Sequence, residues 1–190
     1  MKKQTSHLQY DWWKYVAVFL IPLILWCSIF TILKRPKADE RLHILFLGEG
    51  LNTQALEQEL TTYLQENTSQ NLKSVQIATA VYTDENYNNQ LLAATYSYDI
   101  IIISQPQMKD TVGQDFFYVL PQELQSAEIQ LYEENVNGTT MPFGALGFLN
   151  DQVCYVFVSP QTENLYPLNT KSQEGNHAAV IAWQWLMEIL

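Results

Sequence analysis

The sequence predicts an α/β fold behind a single N-terminal transmembrane helix. Strand-like apolar runs alternate with helix-like segments over residues 42 to 104, which is typical of right-handed βαβ units. One run, Ile100–Ile103, holds four successive isoleucines and can be buried only between two covering layers. A third observation, an uncharged apolar stretch before residue 34, predicts the helix that crosses the membrane.

The transmembrane helix is predicted from Tyr15 to Leu33, a stretch without a charged residue. At roughly 1.5 Å per residue, a helix of this length nearly covers the ~30 Å of bilayer hydrocarbon. Trp12 and Trp13 suit one interface, and Lys34 and Arg35 suit the other. A cleaved signal peptide is the alternative, but basic residues follow the run directly and no small-x-small cleavage motif is present. We therefore expect an uncleaved anchor.

The anchor divides the chain into four predicted regions. We expect a short N-terminus at residues 1–14, the membrane span at 15–33, a hinge at 34–41 and an α/β domain at 42–190. Lysines and arginines flank the span almost evenly, so the charge does not decide on which side of the membrane the domain lies. Residues 1–41 hold seven Lys or Arg and three Asp or Glu, whereas residues 42–190 hold three lysines and seventeen acids. Because such an acidic domain repels phosphate backbones, we expect no nucleic-acid partner.

The first part of the domain is predicted as three strands and two helices. They are a strand at Leu42–Leu47, a helix around Leu56–Leu64, a strand at Ser74–Tyr82, a helix at Asn86–Ser97 and a strand at Tyr98–Ser104. Leucine recurs every four residues in the first helix, and Asn52 or Thr53 is placed to cap it. The isoleucine-rich strand is expected at the centre of a mostly parallel sheet flanked by helices.

The second part of the domain has a looser pattern. The stretch from Met108 to Gly138 predicts a turn or hairpin. Gly144–Phe148 and Val153–Val158 predict an antiparallel hairpin, and the apolar final helix, Asn176–Leu190, is expected to be buried. The aromatic and thioether side chains of this part are interpreted as core, with a platform for stacking a sugar as the alternative: Phe116, Phe117, Tyr118, Met141 and Phe143.

No motif in the sequence predicts an enzyme. Gly48-Glu49-Gly50 lies where a dinucleotide fingerprint would lie, but Thr53 replaces the third glycine and Glu49 would repel pyrophosphate. The histidines, His7, His43 and His177, have neither metal-ligand nor triad spacing. We therefore expect no catalytic residue, no metal site and no cofactor.

Binding is the remaining class of function. In open α/β sheets, ligands lie beyond the carboxyl ends of the parallel strands. The candidate ligand-binding residues at these ends are Glu49, Tyr82, Asp84, Ser104 and Gln105. Their carboxylates, hydroxyls, carboxamide and aromatic ring form a set that suits a sugar, while ordinary polar loops are the alternative interpretation.

Three stretches of the domain follow the segment order of a known family. They are LHILFLGEGLNTQALEQEL, YDIIIIS, and the tail that runs from VCYVFVSPQTEN to HAAVIAWQWLMEIL. This order resembles bacterial extracellular solute-binding proteins of ABC-type uptake systems. The resemblance implies one periplasmic-binding-protein-like lobe held outside the cell beside a transporter. It therefore implies that residues 1–14 are cytoplasmic and that the α/β domain at 42–190 is extracytoplasmic. This chain departs from the family in being far shorter, in leaving little sequence for a second lobe, and in having a helical anchor instead of a lipobox.

The function expected from these observations is a non-enzymatic, membrane-anchored accessory or binding module. The resemblance implies association with an ABC-type carbohydrate uptake system, with an integral membrane protein such as the transporter as partner and a sugar as ligand. The alternative is a sensor or assembly subunit of an envelope complex, which would bind a partner protein and no small ligand.

Overall fold

A computed structural model describes residues 12–34, 41–67, 74–110, 112–125, 128–149, 152–162 and 178–189. The chain divides into two compact units, Met1–Pro36 and Lys37–Leu190. The predicted hinge is described only at its two ends, residues 34 and 41. His7, His177 and the loop before the last helix lie outside the described residues.

In the first unit, the structure describes residues 12–34, which form a helix, α1 (Trp12–Lys34), with Pro22 inside it. Its side chains are described between Lys14 and Phe30, and large apolar ones such as Phe19 are exposed. Among the residues that the structure describes, no helix combines the length and the apolar character needed to cross a bilayer. The membrane span therefore stays a prediction from the sequence.

The second unit has the α/β architecture that the sequence predicts, a six-stranded sheet flanked by helices. Its strands are β1 (Arg41–Leu47), β2 (Ser74–Ala80), β3 (Ile100–Ser104), β4 (Leu131–Val136), β5 (Thr139–Leu149) and β6 (Gln152–Val158). Its helices are α2 (Thr53–Asn67), α3 (Tyr87–Thr95), α4 (Val112–Phe116) and α5 (Ala178–Ile189), with short 3₁₀ helices at Gln105–Gln107 and Gln122–Leu124. Asn52 caps the start of α2, because its Oδ1 accepts a hydrogen bond from the N–H of Ala55 at 3.4 Å.

The strand order is β2-β1-β3-β6-β5-β4. β1 pairs in parallel with β2 and β3, whereas the β3–β6, β6–β5 and β5–β4 pairs are antiparallel. The prediction of a mostly parallel sheet is thus wrong, because the sheet is mixed. β3 is central and fully buried, as expected, but it forms the boundary between a parallel half and an antiparallel half.

Two apolar layers cover the sheet. On one face α2 and α5 pack over strand residues such as Ile44 and Ile102, and the Tyr63 and Trp185 rings of the two helices lie 6.0 Å apart. On the other face α3 and the segment around Phe117 cover residues such as Ile101. The predicted burial of the last helix is confirmed. The uninterrupted isoleucines of β3 are explained by this double covering.

The hairpin predicted from the end of the sequence is confirmed, but it is longer than expected. β5 begins at Thr139 rather than Gly144, and it also pairs with β4 through the turn at Asn137–Gly138. The β4–β5 register shifts between Tyr132 and Glu133, with Phe143 as the extra residue of β5. Pro142 has no N–H group to donate to the neighbouring strand. The irregularity allows β5 to continue through this residue.

A buried polar cluster joins the start of β3 to the turn after β6. The Asp99 carboxylate accepts hydrogen bonds from the N–H of His43, at 2.8 Å, and from the Thr162 hydroxyl. The Ser159 hydroxyl donates to the Thr95 carbonyl. These bonds satisfy polar groups that would otherwise be costly to bury. The backbone of His43 therefore contributes to the fold at the edge opposite the carboxyl ends of the parallel strands.

Candidate functional site

The five predicted ligand residues all follow parallel strands, but the structure gives them different environments. Glu49, Asp84 and Gln105 are exposed, Tyr82 is half-buried and Ser104 is buried. Only Asp84 lines the hollow that lies at this edge of the sheet. The five predicted residues therefore differ in exposure, and one of them belongs to the lining of the hollow.

The crevice between β1 and β3 is closed by direct packing. Ser104 is 2% exposed, and a Cβ on Gly48 would lie 2.7 Å from its Oγ. A Cβ on Gly48 would also lie 2.9 Å from Cε1 of Phe46, so the site requires glycine. The strand-to-helix turn at Gly48-Glu49-Gly50 is thus explained by close packing, and the Ser104 hydroxyl does not face an open ligand site.

Tyr82 connects the loops that follow β2 and β3. Its N–H donates to Oε1 of Gln107 at 2.9 Å, and its ring meets the Tyr87 ring edge-on with the centroids 6.1 Å apart. Burial, followed by the neighbouring Tyr98, raises the pKa of Tyr82. Tyr82 therefore stays neutral at physiological pH and holds the two loops together.

Asp84 forms an ion pair that crosses from the β2 loop to the β3 loop. Its Oδ1 lies 2.9 Å from Nζ of Lys109, and the same Nζ lies 4.2 Å from the centroid of the Tyr87 ring. The Asp84 side chain is 95% exposed, so the ion pair adds little stability by itself. Contact with both the carboxylate and the aromatic face nevertheless fixes the direction of the lysine chain.

Tyr87 forms the buried floor beneath this lysine. It is 2% exposed, and its hydroxyl has no hydrogen-bond partner among the described residues. Burial, with a smaller contribution from Tyr82, raises the pKa of Tyr87 to about 12. The ring therefore presents a neutral π face to the ammonium group of Lys109.

A hollow of about 300 Å³ opens beside the ion pair. It is lined by Asp84, Glu85, Asn88, Asn89, Lys109, Asp110, Val112, Asp115 and Phe116. The lining combines carboxylates and carboxamides, which accept and donate hydrogen bonds, with one aromatic ring and one aliphatic side chain. Four carboxylates face one ammonium group, so the hollow disfavours anionic ligands.

The wall of the hollow that contains α4 is fixed by Glu134 of β4. Its carboxylate accepts hydrogen bonds from the N–H groups of Gly113, at 2.6 Å, and Gln114, at 2.9 Å. The Tyr132 hydroxyl donates to the same carboxylate at 2.7 Å, and burial together with this bond raises the Tyr132 pKa. Glu134 thereby holds the first turn of α4 against the antiparallel half of the sheet.

The aromatic residues near α4 have three different environments. Phe117 and Phe143 are buried, as predicted, and the Phe117 ring stacks on Phe157 with the centroids 4.4 Å apart. Phe116 is half-buried: it packs against the same core layer and also lines the hollow. Tyr118 is 70% exposed, so the prediction that it belongs to the core is wrong. Phe117 and Tyr118 are the two residues that directly follow α4. Phe117 is buried in the core, whereas Tyr118 is exposed.

Most of the residues that line the hollow could not be found from the sequence. Lys109 is one of three scattered lysines in the domain, and Asn88 and Asn89 lie in a polar helix start. The position of Asp84 after β2 was the only signal for the site. Lys109 and α4 reach it through a loop whose path no local pattern determines.

No group of three or more His, Cys, Asp or Glu side chains in the described part of the chain is arranged to hold a metal ion. Comparisons of this chain with protein-family models, with curated proteins and with solved structures find no match. The candidate function is therefore argued from the fold and the geometry of the hollow.

Proposed function

We propose that this chain is a non-enzymatic binding module of the bacterial cell envelope, anchored in the membrane by its N-terminal helix, with the globular unit outside. The ligand is a small neutral polyhydroxylated molecule, a sugar, held in the hollow beside Lys109. In this proposal the chain serves as an accessory to an ABC-type carbohydrate uptake system. The globular unit corresponds to one lobe of the periplasmic-binding-protein type.

The observation that carries the proposal is the hollow itself. It lies at the carboxyl ends of the parallel strands, where open α/β sheets bind ligands. Its volume of about 300 Å³ is at the lower end of the range for small-molecule sites. Asn88, Asn89 and the carboxylates can bond to hydroxyl groups, and Phe116 offers an apolar surface for a sugar ring.

The acidic lining supports a neutral ligand over an anionic one. Lys109 is already paired with Asp84, so a phosphate or carboxylate would meet the remaining acids without a free cation of the lining. A neutral sugar meets no such repulsion. Phosphorylated and acidic sugars are accordingly expected to bind more weakly than neutral ones.

The membrane location is supported by the composition of α1. Its exposed side chains include Phe19, at 79%, and Trp26, at 67%, and such exposure of large apolar groups is costly in water. A fixed anchor favours a fixed partner in the same membrane, which fits the resemblance to transporter-associated proteins.

Hydrogen exchange on the full chain in detergent micelles, with a panel of neutral sugars, tests the ligand proposal. We expect a binding sugar to slow amide exchange in residues 84–90 and 109–116. The variant Asn88→Ala removes a carboxamide that lines the hollow and should weaken this protection. The matched control is Gln90→Ala, an exposed carboxamide on the same helix that does not line the hollow. Unchanged exchange with every sugar would contradict the proposed ligand class.

Cysteine labelling tests the orientation. The native Cys154 is fully buried and burial raises its pKa, so it should not react while the unit is folded. In a Cys27→Ser background, Glu59→Cys places a thiol on an exposed position of α2. A maleimide that cannot cross membranes should label it in intact cells. Labelling only after lysis would place the unit inside the cell and overturn the proposed location.

The alternative function, binding of a partner protein without a small ligand, is favoured by a different observation. Leu92 of α3 and Tyr96, the residue that caps the end of this helix, are four positions apart, and they are 48% and 68% exposed. If sugars leave the exchange of the hollow unchanged while Leu92→Ser weakens recovery of a membrane partner, the subunit function is the better description.

A further inference from the structure

We propose that the outer edge of β2 is a docking edge for an extended, basic segment of a partner protein. This inference does not depend on a ligand in the hollow. It rests on the backbone direction of β2, on one hydrogen bond from α2, on the composition of the edge and on the groove beside it.

The backbone of β2 determines which groups face outward. β2 is the first strand in the sheet order and pairs with β1 on one side. The Ala80 carbonyl accepts from the N–H of Gly48, at 2.9 Å, so Ala80 faces β1. Backbone groups of successive strand residues alternate in direction. Val75, Ile77 and Thr79 therefore direct their N–H and C=O groups away from the sheet.

Glu57 occupies the position of an absent strand at the middle of this edge. Its Oε1 accepts a hydrogen bond from the N–H of Ile77 at 2.6 Å, the bond that a backbone carbonyl of a neighbouring strand would make. The contact joins residues twenty positions apart and bends the side chain from α2 over the strand edge. The edge is thus set up for a strand acceptor and is satisfied by a side chain that can move aside.

The two edges of the sheet differ in their protection against added strands. β4, at the far edge, carries Glu133 and Glu134 and lies beside the register shift, and both features discourage further pairing. β2 has the sequence SVQIATA, without a charge or a proline, and the pairing recorded with β1 is regular along all seven residues. Apart from the Glu57 bond, the described residues of this edge lack those protective features.

A groove beside the edge has room for an extended chain. Glu57, Gln58, Thr61, Thr62 and Val75 line an open space of about 480 Å³ between α2 and β2. Hydroxyl and carboxamide groups line it, which suits the polar backbone of an added strand. The groove therefore continues the hydrogen-bonding surface of the edge.

The charge of the edge determines the chemistry of the occupant. A strand that pairs with Ile77 must displace Glu57, and the freed carboxylate then needs a cation close by. The surrounding domain holds seventeen acids and three lysines over residues 42–190, so a lysine or arginine on the incoming segment is its natural partner. A second copy of this acidic chain would supply the wrong charge.

Labelled six-residue peptides of alternating Thr and Val, with Lys, Gln or Glu at the fourth position, test the proposal by fluorescence anisotropy. The full chain in detergent micelles is used at low ionic strength. We expect the Lys peptide to bind about tenfold more tightly than the Glu peptide. Peptides N-methylated at alternate residues should lose binding, because they cannot complete a ladder. Equal affinities for the three peptides, or no binding, would overturn the proposal.

Two substitutions link the binding to this edge. Thr79→Pro removes one outward N–H without touching the ladder to β1, and it should abolish binding of the Lys peptide. Glu57→Gln should reduce the preference for Lys over Glu to about onefold. Glu59→Gln, an exposed acid on the same helix, is the matched control and should keep the preference.

A protective role for Glu57 makes a different prediction. If Glu57 only guards the edge, Glu57→Gln should cause concentration-dependent self-association, and N-methylated peptides should bind as well as unmodified ones. That combination would overturn the docking proposal. If Thr79→Pro fails to fold by circular dichroism, the comparison of methylated with unmethylated peptides on the unaltered chain still decides the question.

Discussion

The two halves of the sheet differ in how their strands are connected and in how the strands are covered. In the parallel half, β2, β1 and β3 are joined by helices, and β1 and β3 are covered on both faces. In the antiparallel half, β4 and β5 are joined by the turn at Asn137–Gly138, β6 begins three positions after β5 ends, and β4 has no buried residue. The parallel half supplies the ends of strands at which the hollow lies, whereas the antiparallel half holds one wall of it in place through Glu134. We therefore expect the strands to contribute unequally to stability across one sheet.

The largest expected effect lies where the halves meet. Ile102 of β3 is fully buried in the layer beneath α2 and α5, and Ile102→Ala should lower the free energy of unfolding by about 2 to 5 kcal/mol. Phe148→Ala on β5 removes a larger side chain that is 60% exposed, and it should change stability by less than about 0.5 kcal/mol. Urea unfolding followed by circular dichroism measures both. Similar losses for the two variants would contradict the unequal distribution of stability.

The same contrast explains which parts of the fold the sequence predicts. β3 and the leucines of α2 have strong patterns because each is fixed by burial. β4 has the sequence LYEENV, in which apolar and polar residues do not alternate, and its Glu134 bonds to backbone groups of α4 that lie 21 and 20 positions earlier in the sequence. The sequence predicts the antiparallel pairing of β5 with β6, whereas the antiparallel pairs β3–β6 and β4–β5, which make the sheet mixed, have no local sequence signal.

The residues of the candidate site also divide into those that a local sequence pattern predicts and those that only tertiary contacts place. Asp84 was predicted because it directly follows a parallel strand. Lys109, Asn88 and Phe116 reach the hollow from a loop, a helix start and a five-residue helix, and the positions of these segments depend on tertiary contacts. Ser104 was predicted for the same reason as Asp84, but the close packing of Gly48 buries it, which only the register of β1 and β3 reveals.

A smaller effect is expected at the junction between α4 and the antiparallel half. Glu134→Gln replaces one acceptor oxygen by an NH₂ group that faces a backbone donor, and it should cost about 1 to 3 kcal/mol. Amide exchange at Gly113 and Gln114 should accelerate, because both N–H groups depend on this carboxylate. Glu133→Gln, the exposed neighbour on β4, is the matched control and should leave exchange at α4 unchanged. Retained protection in Glu134→Gln would show that α4 is held by packing alone.

The smallest expected effect compares two tyrosines, one from each half. The Tyr132 hydroxyl donates to Glu134, so Tyr132→Phe should cost about 1 to 2 kcal/mol at neutral pH. The Tyr87 hydroxyl is buried without a partner among the described residues, so Tyr87→Phe should be neutral or slightly stabilising. Thermal unfolding at pH 7 distinguishes them, and a large loss in Tyr87→Phe would reveal a bond to its hydroxyl.

Alkaline unfolding sharpens this last comparison. The pKa of Tyr87 is raised to about 12, so above pH 10 the unfolded chain releases a proton that the folded chain retains. The difference in pKa has no effect on stability below pH 10, where Tyr87 is protonated in both states, and it lowers the free energy of unfolding as the pH rises from 10 toward 12, by about 1 to 2 kcal/mol after allowance for solvent screening. Tyr87→Phe should remove this contribution to the fall in the free energy of unfolding between pH 10 and 12. The pKa of Tyr132 is also raised, so Tyr132→Phe should likewise reduce the loss of stability with rising pH. The chain that keeps both tyrosines should show the steepest loss of stability.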